Sequence, residues 1–155
     1  MNSAGNATIK IFTDGICEPN PDGLACWGFI AFDGCGRALE RRCGVVGYGD
    51  GMTNQRAAYA AVIAALEWLA DEAPLTLAVL YTDSQLLVNQ VRGEWACHTP
   101  QLQAQRARVL ELLQQTAAEV RAVSRAHSAP AEALARKAYG AEARARRERS
   151  YHDAT

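Results

Sequence analysis

The segment Leu75–Thr82 (LTLAVLYT) restricts the fold of this chain more than any other segment. It is almost continuously apolar, which is typical of a strand that is covered on both faces. Helix-forming patterns flank it, with Asn54–Leu69 before it and Ser84–Arg92 after it. Because strands that alternate with helices form sheets with helices packed against them, we predict that this segment is a central strand of an α/β fold.

Further strands and helices are predicted on both sides of this unit. Three strand-forming segments precede it: Thr8–Thr13, Ala25–Phe32 and Arg37–Gly44. The last two flank an Asp-Gly hairpin turn, and residues 45–51 are predicted to be irregular because they are rich in glycine. The elements predicted after it are the helix Gln101–Gln115, the strand Val120–Ser124 and the helix Ala129–Tyr139. This order predicts a five-stranded mixed sheet, with three antiparallel strands first, two parallel strands after them, and helices on both faces.

The length of 155 residues is that of one domain. We predict a domain over residues 1–140 and an arginine-rich C-terminal tail over 141–155, with Met1–Ala7 as a frayed end. No apolar run reaches 18 residues, so the sequence predicts no membrane span. The chain has five cysteines, an odd number, and they form neither CxxC pairs nor the spacing of a zinc site. We therefore expect free thiols in a reducing cytoplasm.

Charge is distributed unevenly along the chain. Residues 1–120 carry eight basic and thirteen acidic side chains, whereas residues 121–155 carry eight basic and four acidic ones. A basic C-terminal segment is compatible with phosphate binding. It is equally compatible with a salt-bridged surface helix, because Glu142 and Glu148 alternate with the arginines of this segment, Arg144, Arg146, Arg147 and Arg149.

Two predicted strands end in an acidic residue, Asp14 in the first and Asp83 in the fourth. Each aspartate alone is as well explained by a turn or a helix cap. Ligands of open α/β sheets bind beyond the strand ends, however, and two carboxylates placed there repel each other unless cations lie between them. Mg²⁺ prefers oxygen ligands, and a pair of such ions suits phosphodiester hydrolysis.

Four segments together carry a family resemblance. TDGICEPNPDGLACWGFIAF resembles the first hairpin of type 1 ribonuclease H, and TNQRAAYAAVIAALE resembles the first helix of that family. YTDSQLLVNQVRGEW resembles its central strand and following helix, and AEALARKA resembles its last helix. The resemblance covers about residues 8–140 and is greatest to the compact bacterial and archaeal form. It implies a ribonuclease H-like fold.

The resemblance also implies chemistry. The family holds two Mg²⁺ ions (with Mn²⁺ as a substitute) on four carboxylates and cleaves the RNA strand of RNA/DNA hybrids, leaving a 3′-hydroxyl and a 5′-phosphate. Its first and third acids correspond to Asp14 and Asp83, and Glu132 takes the place of its last aspartate. Ala58 stands where the family has a glutamate, and the sequence offers only Asp50 as a distant substitute. His127 corresponds loosely to a loop histidine thought to assist product release, although an exposed loop histidine is the simpler reading.

The family's substrate-binding residues are better matched. The corresponding positions here are Cys17, Asn20, Thr53, Asn54, Gln55 and Gln85. Amide side chains both donate and accept hydrogen bonds, so they suit 2′-hydroxyls and base edges. Each of them is also explained as a loop or cap residue.

Three hypotheses remain open at this stage. The chain is a divalent-metal-dependent endonuclease acting on RNA/DNA hybrids, with activity reduced or abolished by Ala58; a catalytically inactive module that binds hybrids or structured nucleic acid; or an interaction domain that has kept only the fold. Ala58 fits natural divergence and a deliberate acid-to-alanine change equally well. We expect a cytoplasmic monomer.

Overall fold

The computed structural model describes residues 8–154, so the predicted frayed end Met1–Ala7 lies outside the described residues. Within them the chain forms five strands and four helices. The strands are β1 (Ile9–Glu18), β2 (Leu24–Phe32), β3 (Ala38–Tyr48), β4 (Leu77–Thr82) and β5 (Ala117–Ala122). The helices are α1 (Asn54–Glu72), α2 (Gln85–Val91), α3 (Pro100–Gln114) and α4 (Ala129–Ala154).

The strands form one mixed sheet in the order β3-β2-β1-β4-β5. β1 pairs antiparallel with β2, and β2 pairs antiparallel with β3. β4 lies between β1 and β5 and is parallel to both. The predicted α/β fold with a five-stranded mixed sheet is therefore confirmed.

Helices lie on both faces of the sheet, and α4 packs against β1, β2 and β3. The prediction that the fourth strand is covered on both faces is wrong, because Ala78 and Leu80 are buried on one face while Leu77 on the other is exposed. Side chains alternate between the two faces along a strand, and Ile11 and Phe29 belong to the core that α1 closes. Ile16 and Cys26 lie an odd number of residues away from Ile11 and Phe29 on the same strands, so they point to the opposite face. There they pack with Ala135 of α4. The site described below lies at the end of the sheet where α1 and α4 both begin.

Helix α1 begins where the sequence predicts. Thr53 is its N-cap, and its Oγ1 accepts a hydrogen bond from the backbone N–H of Arg56 at 3.1 Å. This cap satisfies one of the unpaired amides at the helix start. All five residues predicted for the buried face are buried: Ala58, Val62, Ala65, Leu66 and Leu69.

The prediction that β1 ends at Asp14 is wrong. β1 continues to Glu18 because its second half pairs with β2, from Asp14 opposite Gly28 to Glu18 opposite Leu24. The parallel pairing of β1 with β4, in contrast, stops at Phe12. Asp14 therefore lies just beyond the point where β1 and β4 separate, although it is inside a strand.

Other boundaries also differ from the prediction. β3 extends to Tyr48, which pairs with Leu24, so residues 45–48 are not irregular. β5 begins earlier than predicted because Ala117 pairs with Leu77, the first residue of β4.

Helix α4 does not end at Tyr139 but continues to Ala154. Gly140 is exposed and does not stop it, because one glycine inside a helix costs only about 1 kcal/mol. The helix thus crosses the boundary that separates the predicted domain from the predicted tail, and that division stays a prediction.

All five cysteines are free, as predicted. Among residues 8–154, no helix has both the length and the apolar character needed to cross a membrane.

Candidate functional site

A pocket opens at the end of the sheet where β1 and β4 separate, and we call it the Asp14 pocket. Its walls come from β1, the start of α1, the β4–α2 junction and the start of α4. The lining residues are Asp14, Gly15, Ile16, Cys17, Glu18, Asn54, Gln55, Ala58, Asp83, Ser84, Arg125 and Arg136.

Asp14 is buried in this pocket, with 6% of its surface exposed. The pKa of its carboxyl is raised from 3.8 to about 7, first by burial and then by the negative charges of Asp83 and Glu132. The N–H of Gly15 and the charge of Arg125 act against this shift of the pKa and do not cancel it. The pocket therefore concentrates negative charge that it does not neutralise.

Hydrogen bonds hold Asp83 beside Asp14. Thr13 Oγ1 donates to the carbonyl of Tyr81 at 2.9 Å, which joins β1 to β4 immediately before the two aspartates. Asp83 itself lies between the end of β4 and Ser84, the N-cap of α2, whose Oγ accepts from the N–H of Leu87. Hydrogen bonds of neighbouring residues therefore fix the backbone at both aspartates, and the structure brings the two side chains together in one pocket, as predicted.

Ala58 reaches the pocket because α1 packs unusually close to β1. A Cβ on Gly15 would lie 2.2 Å from the carbonyl carbon of Ala57 and 2.4 Å from the backbone nitrogen of Ala58, so only glycine permits this approach. The Ala58 side chain lines the same pocket as Asp14. Position 58, where the resemblance implies a glutamate, therefore presents a methyl group with no metal-binding atom.

Glu132 lies in the first turn of α4, beside the pocket and not among the residues that line it. Its Oε2 accepts a hydrogen bond from Arg136 Nε at 2.9 Å, and its Oε1 lies 3.9 Å from Arg125 Nε. Arg136 also contacts Glu18, with 3.0 Å between Nη1 and Oε1. The carboxylate of Glu132 is thus ion-paired, although its charge still contributes to the raised pKa of Asp14.

The two arginines are site residues that the sequence reasoning missed. Arg125 and Arg136 line the pocket; both lie close to the carboxylate of Glu132 beside it, and Arg136 also contacts Glu18. The sequence did contain a signal for Arg136, because it follows Glu132 by four residues in a predicted helix. Residues at that spacing lie on the same face and can form an ion pair. Arg125 precedes α4, and no local sequence pattern marks it.

The donor set fits a divalent cation only in part. Within residues 8–154, no group of three or more His, Cys, Asp or Glu side chains is arranged to hold a metal ion. Asp14 and Asp83 supply the oxygen ligands that Mg²⁺ prefers, and their unneutralised charge favours one ion. The carboxylates that a second ion needs are absent at position 58 and ion-paired at Glu132.

Two further predicted candidates, the product-release histidine His127 and the substitute acid Asp50, lie apart from the pocket. His127 is exposed in the turn before α4, where its Nδ1 shares a hydrogen bond with Ser124 Oγ at 2.8 Å. Asp50 is exposed in the loop between β3 and α1. Neither residue is among those that line the Asp14 pocket.

Amide side chains form one wall of the pocket. The N–H of Cys17 donates to Asn54 Oδ1 at 2.8 Å, and the N–H of Asn54 donates to Asn20 Oδ1 at 3.0 Å. Ser84 Oγ donates to Gln55 Oε1 at 3.0 Å. These bonds fix the oxygen of each amide that lines the pocket and leave its NH₂ group to donate to a ligand.

The predicted substrate-binding residues therefore divide into three groups. Cys17, Asn54 and Gln55 line the pocket. Asn20 and Thr53 act behind it, through the bonds to Asn54 and Arg56 given above. Gln85 lies outside the pocket and is exposed, and its Nε2 donates to Asn89 Oδ1 at 2.8 Å.

Two solved structures resemble this chain closely. RNase H1 from the halophilic archaeon Halobacterium salinarum NRC-1 superposes with a TM-score of 0.77 and 32% identity, covering 86% of this chain and 98% of that one. LC11-RNase H1, solved in complex with an RNA/DNA hybrid, gives a TM-score of 0.76 and 27% identity, covering 84% and 95%. The fold is thus that of the type 1 ribonucleases H.

The sequence comparisons agree with the fold. The sequence model of the family RNase H matches residues 6–132, and the chain belongs to this family. Ribonuclease H of Chlorobaculum parvum is 38% identical over 88 residues, which cover 57% of this chain and 54% of that protein. The chain spans about half the length of the curated relatives it matches.

Proposed function

We propose that this chain hydrolyses the RNA strand of RNA/DNA hybrids with a divalent cation, and that Ala58 makes the reaction slow. One observation carries the proposal: Asp14 and Asp83 meet in a pocket whose wall presents the amides of Asn54 and Gln55. Membership of the RNase H family and the likeness to LC11-RNase H1, which was solved with a hybrid, support the same substrate class.

In this proposal Asp14 and Asp83 hold the cation, which is Mg²⁺ with Mn²⁺ as a substitute. When bound, the ion stabilises the charge that develops on the phosphate. The pKa of Asp14 is raised first by burial and then by repulsion from Asp83 and Glu132, and a bound cation would relieve that repulsion. The protein's own contribution is to bury Asp14, to hold it next to Asp83, and to restrict the access of water on the α1 side.

The amide wall selects the nucleic acid. Because the oxygens of Asn54 and Gln55 are already occupied by Cys17 and Ser84, both side chains present donors to the ligand. Donors match the lone pairs of 2′-hydroxyl groups and the acceptors of base edges in the minor groove. This arrangement favours a strand that carries 2′-hydroxyl groups.

Ala58 limits the number of ions. Two dications in one site repel each other unless enough anionic ligands lie between them, and position 58 provides none. The ion pair of Glu132 with Arg136 removes a further ligand until the pair opens. We therefore propose that the site binds one ion readily and a second one weakly.

The direct test is cleavage of a hybrid labelled on its RNA strand, measured in Mg²⁺, in Mn²⁺ and in EDTA. We expect slow cleavage of the RNA strand in either metal, none in EDTA, and none of duplex DNA. Asp83→Asn is the control, because it removes a ligand and keeps the shape of the side chain. Hybrid cleavage that persists in EDTA or in Asp83→Asn would contradict the proposal.

A second function is favoured by the same two features that weaken the site, the methyl group at position 58 and the ion pair of Glu132. In that alternative the chain binds hybrids or structured nucleic acid without cutting them. Retained binding with no cleavage in Mg²⁺ or Mn²⁺ would select this alternative, and the loss of both would exclude both functions. The cytoplasmic location and the monomeric state stay predictions.

A further inference from the structure

The exposed face of α4 carries a row of basic residues that leads away from the Asp14 pocket. We call Lys137, Arg144 and Arg147 the α4 cationic stripe. They are spaced by seven and three residues, which places them on one side of a helix. Arg136, which lines the pocket, lies eleven residues before Arg147 and thus on the same side.

The opposite face of the helix is used for packing. Ala131, Ala135 and Ala138 are buried against the sheet. Further along this face, the guanidinium of Arg146 lies 4.3 Å from the centre of the Tyr48 ring, at the end of β3. A cation over an aromatic face is attracted to it, so this contact holds the second half of α4 against the domain.

The basic residues of α4 differ in whether a carboxylate of the chain pairs with them. Arg149 pairs with Glu142 at 3.4 Å, on the packed side of the helix. Lys137, Arg144 and Arg147 are exposed, and within residues 8–154 no carboxylate forms an ion pair with any of them. Glu148 borders the stripe without pairing with it. The outer face therefore keeps a net positive charge on a helix whose position is fixed.

The dimensions suit a nucleic-acid backbone. At about 1.5 Å per residue, Lys137 and Arg147 lie roughly 15 Å apart along the helix axis. That distance is close to half a turn of a duplex, whose full turn is about 34 Å. A duplex carries a negative charge for about every 1.7 Å of its axis, so a row of this length meets several phosphates.

We propose that the α4 cationic stripe binds the sugar–phosphate backbone of the duplex on one side of the segment that enters the Asp14 pocket. This inference rests on the proposed function, because the duplex is the substrate proposed above. Phosphate contacts position a duplex without reading its sequence, so the stripe contributes affinity and orientation and leaves the choice of substrate to the amide wall.

The test is the salt dependence of hybrid binding. We would compare the parent chain with Arg144→Gln/Arg147→Gln, measuring affinity for a hybrid of about 20 base pairs in Ca²⁺ over a range of KCl concentrations. Each lost phosphate contact lowers the slope of log K against log salt by about 0.9. We therefore expect the double variant to bind more weakly at low salt, with a slope reduced by about 2.

The matched control is Arg37→Gln/Arg41→Gln. Both arginines are exposed, and neither forms an ion pair within residues 8–154. Arg37 lies in the β2–β3 turn and Arg41 in the first half of β3 opposite Ile30, and neither belongs to α4 or lines the pocket. This control removes the same charge and is expected to keep the parent slope. Glutamine is a good helix former, so α4 is preserved in the test variant, and circular dichroism checks this.

Each outcome of this test is informative. A reduced slope in the α4 variant alone supports the stripe, and an equal loss with hybrids of two sequences supports phosphate contacts. Equal slopes in the α4 variant and the control would overturn this inference and leave the proposed function intact. Failure of the parent chain to bind the hybrid at all would overturn both.

Discussion

The charge on buried Asp14 gives the most quantitative prediction. Replacing Asp14 with Asn removes a carboxylate whose pKa is raised from 3.8 to about 7, while the amide oxygen still accepts from the N–H of Gly15. We expect Asp14→Asn to stabilise the metal-free protein in alkaline buffer. The same change removes a proposed metal ligand, so stability and activity should move in opposite directions.

The sign and size follow from proton linkage. Between about pH 4 and pH 7 the folded chain keeps the Asp14 proton that the unfolded chain has lost, so folding becomes less favourable as the pH rises. Above pH 7 the full penalty is present, and below pH 4 it is absent. One pKa unit corresponds to about 1.4 kcal/mol, so the variant gains up to about 4 kcal/mol in free energy of unfolding at pH 8.5.

Urea denaturation in EDTA at pH 4 and pH 8.5 measures this gain, with Asp71→Asn as the control because Asp71 is exposed at the end of α1. The control is expected to change little at either pH. Adding Mg²⁺ at pH 8.5 should stabilise the parent chain and not Asp14→Asn. A variant no more stable than the parent at pH 8.5, or equally stabilised at both pH values, would refute the reasoning.

Three further substitutions test the structure around the site. Tyr59→Phe removes the buried hydrogen bond from Tyr59 Oη to Gln90 Oε1 (2.8 Å) and should cost about 1–2 kcal/mol in urea denaturation; an unchanged midpoint would contradict the assignment of that bond. Gly28→Ala places a Cβ 2.6 Å from a carbonyl oxygen of α4, so it should lower the free energy of unfolding by about 1–3 kcal/mol and slow hybrid cleavage. A variant as stable as the parent chain would refute the close packing of α4 on β2. Arg136→Gln frees Glu132 from its ion pair and should tighten Mg²⁺ binding several-fold, as measured by calorimetry. The loss in free energy of unfolding should be less than about 1 kcal/mol. Unchanged or weaker Mg²⁺ binding would show that the ion pair does not restrain Glu132.

The sequence predicted the architecture because burial leaves a periodic pattern. The spacing from Ala58 to Leu69 marked the buried face of α1. The apolar run of β4 correctly marked a strand of the sheet, but the strand is fully buried on one face only, because Leu77 is 62% exposed. Elements held by long-range pairing were less accurate. The first strand was predicted to end at Asp14, yet it continues through Gly15 to Glu18 because β2 pairs with it. The length of α4 was missed because Gly140 resembles a helix stop, although its neighbours favour helix.

The site was predicted in outline and not in its contacts. Asp14, Ala58 and Asp83 meet in one pocket because each lies at the same end of the sheet, which topology alone implies. The direction of the Glu132 carboxylate depends on which cation lies nearest in three dimensions, and the sequence does not specify this. The amide of Gln85 likewise donates to Asn89 and lies outside the pocket, and the sequence does not specify this side-chain contact.

The central claim is that this pocket is a hybrid-cleaving metal site weakened at position 58, and one measurement tests it most directly. Cleavage of a labelled RNA/DNA hybrid in Mg²⁺ would be compared for the parent chain, Ala58→Glu and Ala58→Gln, where glutamine matches the size of glutamate without its charge. Because the added carboxylate supplies a ligand beside Asp14, Ala58→Glu is expected to cleave at least about tenfold faster than both. Equal rates for the parent chain and Ala58→Glu, or an equal gain in Ala58→Gln, would contradict the account.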